Sequence, residues 1–246
     1  MMIGAGEVHS QIAVTLNLQY LNPQHILRKE SMIKHRTLFT ALFGIALASG
    51  GLQASAASNS DATEGKRLFD QNCQFCHQAD AIGKPGFAPS LSNPELLSIS
   101  SDKFLLSTIR DGRPGTAMMP FAHLGRTKIE QIVIYLRSLS DVPNRSKEVD
   151  AQQDAHGDPR LGKTWFDYIC STCHGKNGDG YLAGGTGTAL GNKSFLAIAS
   201  DGFLRETIKY GRSNTRMLGY SGSAGLANLS DREIDDVIVY MRTLAK

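Results

Sequence analysis

Cys73-Gln74-Phe75-Cys76-His77 brings two thiols and an imidazole within five positions, and the pattern returns as Cys170-Ser171-Thr172-Cys173-His174. C-x-x-C-H is the attachment pattern of c-type haem. The thiols add across the two vinyl groups of the porphyrin, and the imidazole reaches the iron from the same side. A redox dithiol or half of a zinc site would use the same residue types. Two copies in matching surroundings, in a chain whose four cysteines are all spent on them, favour haem. The expected attachment residues are therefore Cys73, Cys76, Cys170 and Cys173. His77 and His174 are the expected proximal ligands, and the implied cofactors are two covalently bound haem c groups.

The motifs sit in an internal repeat, which is the first thing to look for in a chain of this kind. Gly65, Phe69 and Cys73 recur as Gly162, Phe166 and Cys170, each 97 positions later. The run from Phe104 to Arg113 recurs from Phe203 to Arg212 at an offset of 99, and Met118 and Met217 keep that offset. Tyr135 and Tyr240 are 105 apart, so residues were added around 222–225. Helices are expected over 64–72 and 160–169, leading into the cysteines with apolar stripes (Leu68 and Phe69; Trp165, Phe166 and Ile169). Closing helices are expected over 128–139 and 231–244, where Ile132, Tyr135 and Leu136, then Ile234, Val237, Ile238 and Met241, recur at helical spacing. Thr127-x-x-Glu130 and Ser230-x-x-Glu233 both read as capping boxes. Long Gly- and Pro-rich loops between motif and closing helix would be suspect in a cofactor-free domain of this size. A haem supplies the missing core, and the fold class is all-α.

The 246 residues suit two small domains. The formal net charge is +3, with no Lys/Arg block, so neither nucleic acid nor an acidic membrane surface is an expected partner. Met32 opens a secretory pattern: Lys34, His35 and Arg36 are basic, Leu38 to Ala48 is apolar, and Ala54-Ser55-Ala56 has the small-x-small form of a cleavage site. The expected organisation is a non-native extension over 1–31, with translation starting at Met32, and a signal peptide over 32–56. A first domain over 57–141, a polar linker over 142–158 and a second domain over 159–246 follow. The apolar run is too short for a membrane span, so none is expected in the mature chain, which would lie in the periplasm, free or membrane-associated.

At the level of families, residues 61–141 and 159–246 each resemble a class I cytochrome c. The Gly-x-x-x-Phe-x-x-x-Cys-x-x-Cys-His run and the tyrosine on the last helix look like that family's contact between N- and C-terminal helices. Pro114-Gly115-Thr116-Ala117-Met118 looks like its methionine loop. The resemblance implies two tandem class I cytochrome c domains. It also implies that the carbonyl of Pro89 accepts the proximal imidazole N–H; Thr188 stands at the repeat position, so the second partner stays open.

The second axial ligand has to come from elsewhere. Beyond the motifs the mature histidines are His123 and His156, the latter in the linker, so methionine is the economical choice. A neutral thioether also favours ferrous iron and raises the potential. Met217 is the candidate in the second repeat. In the first, Met118 and the adjacent Met119 compete, and the repeat offset favours Met118. Arg113 and Arg212 are either propionate partners or solvated. With no acid, base or nucleophile constellation in view, the expected activity is single-electron transfer between redox proteins. A terminal oxidase and a periplasmic dehydrogenase are the partner classes considered. The alternatives are a dihaem enzyme (a peroxidase or sulfur-compound dehydrogenase) and a cytochrome subunit of a larger oxidoreductase.

Overall fold

A computed structural model describes residues 50–222 and 227–245. The expected extension over 1–31 and most of the expected signal segment lie outside the described residues. Helix α1 (Gly50–Asn72) runs into the first motif, whose CxxCH turn is α2 (Gln74–His77). The loop beyond leads to α3 (Pro94–Ile99) and α4 (Asp102–Asp111), then a 3-10 turn (Ala122–Leu124) and the closing helix α5 (Arg126–Arg137). After α6 (Ser146–Asp150) the plan repeats. Helix α7 (Pro159–Trp165) continues through one π turn (Phe166–Cys170) into α8 (Ser171–His174). Then come α9 (Lys193–Leu196), α10 (Asp201–Tyr210) and α11 (Asp231–Thr243). Among the described residues no strand forms beyond an isolated bridge between Lys84 and Ala88. The all-α class therefore holds.

Each repeat is built on one crossed helix pair, α1 with α5 and α7 with α11. Gly65 and Gly162 make the crossings possible, because a Cβ on either would run into a backbone carbonyl, of Gln131 and Asp236 respectively. Beside each crossing a fully buried phenylalanine meets the tyrosine of the closing helix. Phe69 and Tyr135 have ring centroids 5.3 Å apart, and so do Phe166 and Tyr240. Truncating a phenylalanine in such a place typically costs about 3–5 kcal/mol. The closing helices also hold the loops: Arg137 donates to the carbonyls of Leu97 and Ser100 and to Asp102, and Arg242 does the same to Leu196, Ala199 and Asp201.

One of the two expected capping boxes is absent. Ser230 accepts from the backbone of Glu233, whose carboxylate returns to the Ser230 N–H at 2.8 Å. In the first repeat the helix starts earlier, with Gly125 as its cap at φ +79°, so Thr127 is already inside it. Glu130 is drawn instead to Arg126, 2.6 Å away on the preceding turn. Ser230→Ala is therefore expected to cost about 1 kcal/mol, as cap losses do, while Thr127→Ala costs a few tenths at most. Thermal unfolding of the two variants checks this.

The segment read as a linker is largely exposed, yet it is anchored at several points. Val149 on α6 is fully buried, and its carbonyl lies where any side chain at Gly202 would have to go. Arg145 and Gln152 both reach Glu206 of α10, each at 3.0 Å, and the N–H of Arg145 donates to the Ser98 carbonyl at 2.7 Å. The strap thus bonds to both repeats. They also meet directly: Phe104 of α4 stacks on its own repeat equivalent, Phe203 of α10, with centroids 4.9 Å apart. Contact between equivalent residues is what a two-fold relation produces.

Candidate haem sites

In the first repeat the helix that enters the motif tightens so that thiols and imidazole share one turn, whereas the second enters through the wider π turn. The His77 N–H donates to the Cys73 carbonyl at 2.9 Å, and that of Cys76 to the same oxygen at 3.1 Å. His77 and His174 are buried, which depresses the basicity of both rings; a backbone hydrogen bond acts the other way in each. That bond runs from His77 Nδ1 to the carbonyl of Pro89 at 2.9 Å, and from His174 Nδ1 to that of Thr188 at 2.7 Å. With Nδ1 carrying the proton, Nε2 is left as the lone-pair donor, and the carbonyl orients the ring. Proline is thus dispensable at this position, since only its carbonyl is used. Gly187 is a residue that sequence reasoning missed: a Cβ there would lie 2.5 Å from Cε1 of His174. The ring occupies space that only glycine leaves.

The cysteines are free and half-buried. Burial, with the neighbouring thiol adding to it, pushes Cys73 up to about 11 and Cys170 up to about 12. Both therefore stand as neutral thiols near neutral pH, the reverse of the low-pKa thiolate a redox dithiol needs. Among the described residues no group of three or more His, Cys, Asp or Glu could hold a metal ion.

The two methionine loops are superimposable in their bonding. Arg113 N–H donates to the Met118 carbonyl at 2.8 Å, and Arg212 N–H to that of Met217 at 2.7 Å. The Met118 N–H reaches Thr116 Oγ1 at 3.1 Å, as that of Met217 reaches Thr215 Oγ1 at 3.0 Å. Each loop closes against a glycine at positive φ, Gly112 and Gly211, where a side chain would strike the methionine carbonyl. Met118 and Met217 are half-buried. Met119 is 64 % exposed, and its repeat equivalent is Leu218, itself 49 % exposed and without a lone pair to offer a metal. Three residues beyond Met217, Tyr220 lies close enough to Cys170 and Cys173 to feel both; burial first, then those thiols, raises its pKa.

Arg113 and Arg212 are half-buried rather than fully solvated. Burial brings each down to about 10, and their hydrogen bonds go to neutral oxygens, the Thr108 and Thr207 hydroxyls (2.6 Å each) and their own neighbours' carbonyls. A buried guanidinium without a bonded carboxylate is costly. Two such cations, one beside each motif-bearing repeat, match a cofactor that carries carboxylates. The donor set, the oriented imidazoles and these cations fit a haem in each repeat.

Known proteins agree. Residues 60–136 match the family described as cytochrome c oxidase, cbb3-type, subunit III, and residues 160–245 match cytochrome c. The chain is a dihaem c-type cytochrome. It is built of two tandem class I cytochrome c domains and carries two covalently bound haem c groups. Among curated proteins it is 37 % identical over 123 residues to the cbb3-type cytochrome c oxidase subunit CcoP of Rubrivivax gelatinosus, covering 50 % of this chain and 36 % of that one. It is 29 % identical over 197 residues to CcoP of Azospirillum sp. (strain B510), covering 73 % and 61 %. The cytochrome thus spans between about a third and three fifths of the length of these relatives. A chain of the Kuenenia stuttgartiensis reducing HAO-like protein complex aligns with a TM-score of 0.46 at 20 % identity, over 74 % of this chain and 96 % of that one. No helix among the described residues is long and apolar enough to cross a membrane.

Proposed function

We propose that this cytochrome is exported to the periplasm and passes single electrons between redox proteins through two His/Met-ligated irons, His77 with Met118 and His174 with Met217. The bound haem supplies a one-electron Fe(III)/Fe(II) couple. The chain's own residues set its terms. Pro89 and Thr188 fix the imidazole tautomer through their carbonyls, and the thioethers favour the ferrous state. Arg113 and Arg212 would hold the propionates, giving each half-buried cation a directly bonded carboxylate. Cys73, Cys76, Cys170 and Cys173 are the attachment residues.

The observation that carries this reading is the duplication of a complete donor frame, with a half-buried methionine in each loop and the same hydrogen bonds behind it. An iron with both axial positions filled exchanges electrons and leaves substrates alone. Export is supported by the Met32–Ala56 pattern, with 1–31 as a non-native extension, and by the chemistry of thioether attachment. A terminal oxidase is the favoured acceptor or host, because the relatives quoted are named as cbb3-type oxidase subunits; a periplasmic dehydrogenase is the corresponding donor class.

The test is carbon monoxide binding to the dithionite-reduced, purified mature protein at neutral pH. Both haems are expected to keep their ferrous spectra. Binding at one haem would replace the carrier with a peroxidase- or dehydrogenase-type enzyme having an open site.

A further inference from the structure

Asn93 and Asn192 stand 99 positions apart and begin α3 and α9. Each caps its own helix with Oδ1, accepting from Leu96 N at 2.9 Å and Phe195 N at 3.0 Å. Each then spends its Nδ2 on the other repeat. Asn93 donates to the carbonyl of Ser213 at 3.0 Å, and Asn192 to that of Pro114 at 2.8 Å. Ser213 and Pro114 are equivalent positions, four residues before Met217 and Met118. The methionine loop of one repeat is therefore fastened by the other.

The fastening is unequal. The carboxylate of Glu95 accepts from both the N–H (3.1 Å) and the hydroxyl (3.0 Å) of Ser213. In the other half Ser194 replaces the carboxylate and turns back to Asn192 at 2.7 Å, while Pro114 has neither N–H nor hydroxyl to offer. The two differences are matched: an acceptor exists only where there are donors for it. Glu95 is also the anion facing the half-buried Arg212. Partial burial works against its ionisation, yet the hydrogen bonds from its own backbone and from Ser213 hold its carboxyl below the ordinary range. It is thus a charge, and it lies on the loop of the repeat to which it does not belong.

We propose that Glu95 and Asn93 are positioning residues for the Met217 loop in trans, that Asn192 does the same for the Met118 loop, and that Glu95 gives the second haem a fixed negative neighbour drawn from the opposite repeat, where Arg113 of the first has Asp111 of its own. This rests on Met118 and Met217 being the axial ligands. Ligation and potential at each iron then depend on the docking of the opposite repeat. A hydrogen bond to a charged group carries enough free energy to change a ligated-to-unligated ratio roughly tenfold. A nearby anion stabilises the ferric charge.

The experiment uses the haem-loaded mature protein and its variants, reading each haem's sulfur-to-iron band, its midpoint potential and carbon monoxide binding to the ferrous form. Met217→Ala identifies the second haem's band by removing it. Glu95→Ala is expected to weaken that same band and raise the fraction of second haem that binds carbon monoxide roughly tenfold, with the first haem unchanged. Glu95→Gln, which keeps an acceptor and loses the charge, should retain the band and move the second haem's potential upward. Asn192→Asp keeps the cap oxygen and loses the cross-repeat donor, so its effect should fall on the first haem alone. Effects confined to the haem of the mutated repeat, spread equally over both, or absent from Glu95→Gln would overturn the proposal. Should Met217→Ala leave every band in place, the ligand reading itself fails; a band lost there but untouched by Glu95→Ala fails the trans positioning only.

Discussion

Changing Cys73 and Cys76 together to alanine is expected to halve the covalent haem content, from two per chain to one, and Cys170→Ala with Cys173→Ala to do the same. The reason is local. Each pair sits on its own turn, with its own imidazole and its own oriented carbonyl, and no thiol is shared between repeats. The crossed helix pair of the untouched repeat keeps its buried core; Phe166, Ile234 and Ile238, for instance, pack without help from the first motif. Mass of the denatured polypeptide measures the result, since a thioether-bound group survives denaturation and a coordinated one does not. Loss of both haems from either double variant would mean that loading of one repeat depends on the other. Full retention of both would return the cysteines to a dithiol role.

How much of this could be read from the chain follows from how far apart the interacting residues are. Covalent attachment demands residues one turn apart, so C-x-x-C-H is legible at once. The helix crossings came from the resemblance to class I cytochromes c, carried by Gly65, Phe69 and Tyr135 and by Gly162, Phe166 and Tyr240, since no local spacing pairs an entering helix with a closing one. The false capping box shows the limit of local patterns. Thr127 and Glu130 have the right spacing, but a glycine at positive φ two positions earlier had already started the helix, and Arg126 competed for the carboxylate. Composition also leaves the strap's anchors out of sight. Arg145, Gln152 and Asp150 look solvated by composition, yet they bond to Glu206 and Ser200, which lie 50 or more positions away. The cross-repeat pairs, Phe104 with Phe203 and Asn93 with Ser213, were out of reach altogether. A repeat announces two similar bodies; it does not say which faces they turn to each other.

Met118→Ala is expected to open the first iron to carbon monoxide or cyanide, a change from no binding to stoichiometric binding, while Met119→Ala leaves it closed. The loop decides between two adjacent thioethers. Met118 has both its N–H and its carbonyl tied, to Thr116 and Arg113, in the bonding that holds Met217 in the second repeat. Met119 faces outward, and evolution's other copy of that position is Leu218, which cannot ligate at all. A loop so fastened presents one side chain inward and the next outward. Neighbouring α-carbons are nevertheless only about 3.8 Å apart, so a one-residue slip could bring Met119 to the iron once Met118 is gone. That slip would have to break the Arg113 and Thr116 hydrogen bonds and pull Pro114 from Asn192, two or three bonds at about 1 kcal/mol each, against the gain of an iron–sulfur bond. The double variant separates the outcomes. If Met118→Ala alone opens the iron, the register is fixed by the loop. If only the double variant opens it, the ligand is switchable, and the hydrogen bonds are weaker than the coordination they oppose. If Met119→Ala opens the iron and Met118→Ala does not, the correspondence between the two methionine loops ends at residue 118.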